Sequence, residues 1–425
     1  MGQKVQTETV RLPQGDVIGQ RLPEVSRFSS IPYAEPATGA LRFAPPVPAR
    51  WQGTLDATQP MPVCPQLPSR LRGVMGDFVA LQSEDCLRLT VWTPAADARK
   101  RPVVIWLHGG AWQSGGGAVD WYDGARLAAR GDMVVVGVNY RLAALGWLYV
   151  PGETANVGLL DEEAAISWVV QHIAHFGGDP EQLTLMGHSA GAFNIAAMLT
   201  RKPQFQRAIL HSASLGRGFR EAAQAKYLSR VFLEAAGARD LSQARILPLE
   251  TLFAAQQSSA VVQALKEEGA NRSLFCPVID GDIFQAPIEP LMHAASARVD
   301  ALVGSTRNEM AAFPGMQIDE QSQQLGETIF RAPGRQWARD ARASGRQAWN
   351  FSFDYAPTSQ FGACHCIDLP FVFGNLETFA GAPMLEGMVP EHAVSLVAQI
   401  QTAWIEFIHG RSPGWDMSPA VKIFK

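Results

Sequence analysis

The chain has 425 residues and a formal net charge of −4, from 36 Lys and Arg against 40 Asp and Glu. Hydrophobic residues make up 47% and charged residues 18%, a core-forming composition that excludes a disordered chain and needs no metal or disulfide staple at this length. No block of like charge stands out, so a nucleic-acid or anionic-membrane partner is disfavoured.

The first ten residues, MGQKVQTETV, lack the apolar core of an export signal, and no apolar run is long enough to span a bilayer. Taken as it stands, the sequence predicts a cytoplasmic protein. Gly2 would suit myristoylation, but Gln6 stands where Ser or Thr is required. The first hundred residues are punctuated by Pro and Gly, as in Ile31-Pro32-Tyr33 and Leu41-Arg42-Phe43-Ala44-Pro45-Pro46, which predicts short strands joined by turns. Leu87 to Trp92 alternates apolar and polar residues, as a half-buried strand should.

Beyond residue 102 the pattern changes. Val103 to Leu107, Met133 to Val138, Leu183 to Met186, Ala208 to Leu210 and Ala301 to Val303 are apolar without alternation. Such runs predict strands buried on both faces, as in a parallel sheet. Between them, Asp161 to Phe176 predicts a helix with acids in its first turn, stopped by Gly177-Gly178-Asp179-Pro180. Strands alternating with helices give a doubly wound α/β sheet. The polar stretch from Asp319 to Arg346 predicts surface helices over the core. With no repeat, low-complexity tract or polar linker, one domain over residues 1–425 is expected.

Five cysteines are too few for a disulfide scaffold. Cys64 and Cys86 are close enough in sequence to pair, and Cys276 stands alone. Cys364 and Cys366 flank His365, but neighbouring side chains point apart and no second ligand cluster follows, so no metal and no cofactor is predicted.

The most informative segment is Gly187-His188-Ser189-Ala190-Gly191. It follows an apolar run and precedes the helix-compatible Ala192 to Leu199, the strand–turn–helix context that presents a nucleophilic serine. A hydroxyl nucleophile also needs donors for an oxyanion. His108-Gly109-Gly110-Ala111, directly after the first buried strand, has the small residues that free backbone N–H groups for that task. A nucleotide-binding loop at Gly115-Gly116-Gly117 is disfavoured, because neither phosphate-cradling glycine pattern occurs there.

These segments, with Glu84-Asp85-Cys86-Leu87, Asn139-Tyr140-Arg141-Leu142, Asn156-x-Gly158-Leu159-x-Asp161 and Phe176-Gly177-Gly178-Asp179-Pro180, resemble the type B carboxylesterase family. The resemblance implies an α/β-hydrolase fold: a mostly parallel twisted sheet flanked by helices, with a small antiparallel N-terminal extension. It implies a serine carboxylesterase acting on neutral small-molecule esters, or on another acyl bond such as an amide, carbonate, thioester or lipid ester. A non-catalytic binding homologue is disfavoured because no triad member is missing. Gly304-Ser305-Thr306-Arg307-Asn308-Glu309 is similar to the family block that carries the acid. Gly362-Ala363-Cys364-His365-Cys366-x-Asp368 resembles the block that carries the base. The implied triad is Ser189, Glu309 and His365, with an oxyanion hole at Gly110, Ala111 and Ala190 and pocket positions at Gly109, Trp112 and His188. His172 and His175 fall on the predicted helix, His392 and His409 lack a motif, and His108 is read as structural.

Three departures from the family stand out. His188 replaces the usual Glu before the nucleophile, which implies a weaker preference for cationic substrates and an altered pH profile. No Trp lies between Cys64 and Cys86, a pair that matches a disulfide in many relatives, so the aromatic platform for choline is missing. The interval from Glu309 to His365 is short, which implies a more open pocket. The oligomeric state is not legible.

Overall fold

The structure, a computed structural model, describes residues 6–269 and 272–425; the Gly2 position lies outside them. The strands are β1 (Thr7–Leu12), β2 (Gly15–Arg21), β3 (Ser26–Pro32), β4 (Thr54–Asp56), β5 (Arg88–Thr93), β6 (Arg101–Leu107), β7 (Val134–Val138), β8 (Gly178–His188) and β9 (Arg207–His211). A separate two-stranded parallel pair, β10 (Arg220–Glu221) with β11 (Val278–Ile279), comes next. The last three are β12 (Asp300–Thr306), β13 (Ala348–Phe353) and β14 (Val421–Phe424).

All but β10 and β11 form one sheet in the order β1-β2-β3-β5-β7-β6-β8-β9-β12-β13-β14, with β4 beside β2. From β7 to β14 every neighbouring pair is parallel, whereas β1, β2, β3, β5 and β7 pair antiparallel in succession. This is the expected α/β-hydrolase sheet with its antiparallel N-terminal extension.

The unalternating apolar runs have a direct cause. Along β6, Val103, Ile105 and Leu107 enter one core with Ile166 and Phe193, while Val104 and Trp106 enter another with Phe373 and Trp404. Successive side chains point to opposite faces, and helices cover both, so an unpartnered polar side chain would be costly along this run.

Two local expectations need correction. The strand over Leu87 to Trp92 is not half-buried. Thr90, on its polar phase, is fully buried with its hydroxyl against that of Ser29, because β5 lies inside the sheet between β3 and β7. The helix expected from Asp161 begins earlier, at Val157, and runs to His172 before a 3-10 turn over Ile173–Phe176. Asp161 therefore sits a turn inside the helix, where it forms a buried ion pair with Arg141 at 2.6 Å instead of serving the helix end. Polar 319–346 does form helices over the sheet, Glu320–Gly326 and Ala332–Ala343, linked by a π-turn over Glu327–Arg331. Among the described residues, no helix is long and apolar enough to cross a membrane.

The parallel strands deliver the chemistry-bearing loops to one edge. His108 follows β6, Ser189 follows β8, Ser212 follows β9, Glu309 lies just past β12, and His365 lies in the loop after β13. The C-terminal edge of such a sheet is where α/β folds hold their sites.

Candidate active site

Ser189 joins β8 to the helix Ala190–Met198 with φ 53° and ψ −114°, a conformation costly for any residue with a Cβ. Its N–H donates to the carbonyl of His211 (2.9 Å), and its carbonyl accepts from Phe193 N–H (2.9 Å). The turn is so tight that a Cβ at Gly191 would lie 2.2 Å from the Leu107 carbonyl oxygen. Packing of the elbow against β6 thus explains the last glycine of the pentapeptide.

Glu309 is fully buried. Its Oε1 accepts from the Ser212 hydroxyl (2.6 Å) and the Thr306 N–H (2.9 Å), and its Oε2 meets His365 Nδ1 in a short contact. The two loops are also tied through backbone. Asn308 N–H donates to the Ala363 carbonyl (2.8 Å), and Ala363 N–H donates to Asn308 Oδ1 (3.0 Å). The His365 ring is packed by Phe313, Phe330 and His188 at centroid distances of 5.3, 5.1 and 4.5 Å. Ser189, His365, Gly110 and Ala111 line one cleft.

Ala111 and Trp112 both take positive φ, 56° and 61°, so the chain folds back on itself after β6. Among the described residues, neither Gly110 N–H nor Ala111 N–H is taken by a backbone acceptor. The loop is braced from both sides. Trp112 Nε1 donates to Asn194 Oδ1 (2.8 Å), and Gln66 accepts from Gly115 N–H (2.6 Å) while donating to the Gly115 carbonyl (2.8 Å). Ala190 opens the helix beyond Ser189, where partial positive charge favours an oxyanion.

Of the pocket positions, Trp112 lines the cavity beside Ser189, but Gly109 and His188 do not. Gly109 packs against His188, where a Cβ would fall 2.8 Å from Nδ1. His188 is 2% exposed and lies behind His365. Burial first, and then the adjacent His365, push it well below the usual imidazole range, so it is a neutral ring. His108 is structural, as read from the sequence. It stacks on Tyr140 at 4.4 Å, and burial pushes it down to about 4.

Sequence reading missed several supporting residues. His211 Nδ1 bonds Asp368 Oδ2 (2.7 Å), and Trp404 Nε1 donates to His211 Nε2 (2.9 Å). Parallel pairing sets His211 directly beside His188, a register visible only once β8 and β9 are known to be neighbours. Reading Cys364-His365-Cys366 as a local triplet also hid a grouping across the chain. Ligand atoms of His188, His365 and Cys366 lie within 4.8 Å of one another, all buried. Cys64 and Cys86 are free thiols, and the hydrogen bond between them, with burial, pushes Cys86 well up.

Beside Ser189 lies a cavity of about 460 Å³. Trp112, Met310, Phe313 and Phe330 form its apolar wall, and Arg70, Arg217, Lys266 and Arg272 its charged wall.

Residues 6–324 match the profile of the carboxylesterase family. The chain belongs to the carboxylesterase family. The match includes Ser189 and Glu309 and stops short of His365. Curated relatives run through that region. The carboxylesterase is 38% identical over 446 aligned residues to a probable N-octanoylanthranilate hydrolase of Rhodococcus erythropolis, covering 96% of this chain and 95% of the relative. It is 32% identical to the para-nitrobenzyl esterase of Bacillus subtilis (strain 168), covering 96% and 91%. A solved PNB esterase structure superposes with a TM-score of 0.87 at 30% identity, covering 98% of this chain and 96% of that one.

Proposed function

We propose that this carboxylesterase, as one domain spanning its 425 residues, cleaves carboxylic esters through an acyl-enzyme on Ser189. His365 takes the Oγ proton as the serine attacks the carbonyl carbon. Glu309 holds Nδ1–H and stabilises the charged ring, and the N–H groups of Gly110, Ala111 and Ala190 receive the oxyanion. Collapse of the tetrahedral intermediate expels the alcohol, which leaves with the proton from His365. Water then attacks the acyl-enzyme, its proton passing to His365, and the second tetrahedral intermediate collapses to release the carboxylic acid as Ser189 Oγ leaves and regains that proton. The observation that carries this reading is the contact between His365 Nδ1 and the buried Glu309 carboxylate, in the cleft that also holds Ser189 on its positive-φ elbow. The proposal includes a cytoplasmic setting, in which Cys64 and Cys86 would stay reduced.

Ser189→Ala or His365→Ala is expected to lower kcat on a simple aryl ester by roughly 10⁶ if the triad acts as a unit. Undiminished hydrolysis by Ser189→Ala overturns the mechanism. The relative named for hydrolysis of an N-octanoyl compound favours a second reading, cleavage of an N-acyl bond by the same triad. Parallel assays on matched ester and anilide substrates separate the two.

A further inference from the structure

The charged wall of the cavity is one-sided. Arg70, Arg217, Lys266 and Arg272 line it together with Ser189, Ala111 and Ala190, and no Asp or Glu does. These cations come from separate parts of the chain: Arg70 from the N-terminal loops, Arg217 from the turn Leu215–Arg217 after β9, Lys266 from the last turn of the helix Ser259–Glu267, and Arg272 from a few residues beyond it. Nearby acids are engaged elsewhere. Glu309 is buried against His365, Glu268 pairs with Arg220 at 2.9 Å, and Glu267 takes Gln263 Nε2 at 2.9 Å. Residues 270 and 271 are Ala and Asn, so they add no acid to this wall.

In the cleft Arg217 and Arg272 are half-buried and Arg70 is exposed, whereas the arginines buried elsewhere have partners: Arg101 holds Asp97 and Asp132, Arg141 holds Asp161, and Arg220 holds Glu268. Among the described residues, the Arg70 and Arg217 guanidinium groups form no ion pair, and the Nε–H of Arg272 donates to the Arg217 carbonyl at 2.9 Å. Burial, with Arg70 and Arg272 nearby, pushes Arg217 down to about 10. Converging like charges in a half-buried cleft raise the energy of the empty site, and an anion entering it relieves them. A guanidinium fork matches a carboxylate with two parallel donors.

We propose that the substrate is amphiphilic, with an apolar body against Phe313 and Phe330 and a carboxylate seated on Arg217 between Arg70 and Arg272. This rests on the esterase reading of Ser189 and names its substrate class. The family resemblance implied neutral esters, but the charged wall of this cleft is cationic although the whole chain carries −4.

Two matched pairs test it. Butyryl esters of meta-hydroxybenzoate and meta-hydroxybenzamide place the charge on the alcohol half. Phenyl esters of adipic acid and of its monoamide place it on the acyl half. The expected result is a kcat/KM ratio, anion over neutral, of about 10 to 100 in one pair at low salt, the range for charge-assisted hydrogen bonds. The ratio should shrink with added salt and collapse towards unity in Arg217→Gln or Arg70→Gln. A ratio of one or less in both pairs, with the neutral esters still turned over, overturns the carboxylate site and leaves the esterase reading standing, as does a preference that survives both substitutions. No turnover of any of the four, with Ser189 unlabelled by a serine-directed phosphonate, overturns the esterase reading and this one with it.

Discussion

The imidazole of His188 packs tilted against that of His365, with 4.5 Å between ring centroids and 48° between planes. Burial keeps His188 neutral, so the candidate base has an uncharged neighbour where the family usually places a carboxylate. His188→Glu would set an anion against His365 and favour its charged form. The base works only when neutral, so the acid limb of the pH–rate profile should move to higher pH. Overlapping profiles for the two proteins would exclude this coupling.

Glu309 receives two hydrogen bonds besides its contact with His365, from Ser212 Oγ and Thr306 N–H. Ser212→Ala removes one and leaves the carboxylate freer to turn from the imidazole. A loss of about 1–2 kcal/mol is expected, seen as a fall in kcat of roughly tenfold. KM should hold, because Ser212 lines neither cavity beside the nucleophile. A change in KM alone would contradict this role.

Asn194 joins the oxyanion loop to the buried helix Val157–His172. It accepts from Trp112 Nε1 and donates to Glu162 Oε1, both at 2.8 Å. Asn194→Leu keeps the volume but leaves both groups unpaired, at about 1–3 kcal/mol each. Chemical denaturation should register the lost stability, and kcat should fall as Ala111 loses its brace. Full activity in a destabilised variant would confine Asn194 to folding.

Stability should fall in mild acid. His108 has an ordinary value of 6.5, and its folded value is about 4. Between those values the unfolded chain binds a proton that the folded chain refuses, so stability present above the upper value is lost as pH falls through the window. The loss approaches about 3 kcal/mol. Melting temperature followed from about pH 7 to about pH 4.5 should fall less steeply in His108→Gln than in the native protein.

The sheet was readable because parallel strands covered on both faces leave continuous apolar runs, as at Val103 to Leu107 and Met133 to Val138. The polar first half of β8, from Gly178 to Gln182, gave no such run. The helix start at Val157 was missed because Asp161 and Glu162 look like first-turn acids; both are buried, one paired with Arg141 and the other with Asn194. Ser189 was legible from its glycines, and Glu309 and His365 through the family blocks around them. The arginine wall was not legible, since Arg70, Arg217 and Arg272 share no spacing and meet only after folding.

Ser189, Glu309 and His365 ride on three parallel strands that enter the chain far apart in synthesis. The serine elbow can form once β6, β8 and β9 pair. The imidazole reaches Glu309 only after 56 further residues have emerged, and β14, at the very end, still closes the sheet beside β13. On the proposed mechanism, a chain that stopped short of His365 would hold its serine without a base. On that reading hydrolysis needs the chain through His365, and a cut after β12 that frees the His365 loop would silence the enzyme while leaving Ser189 in place.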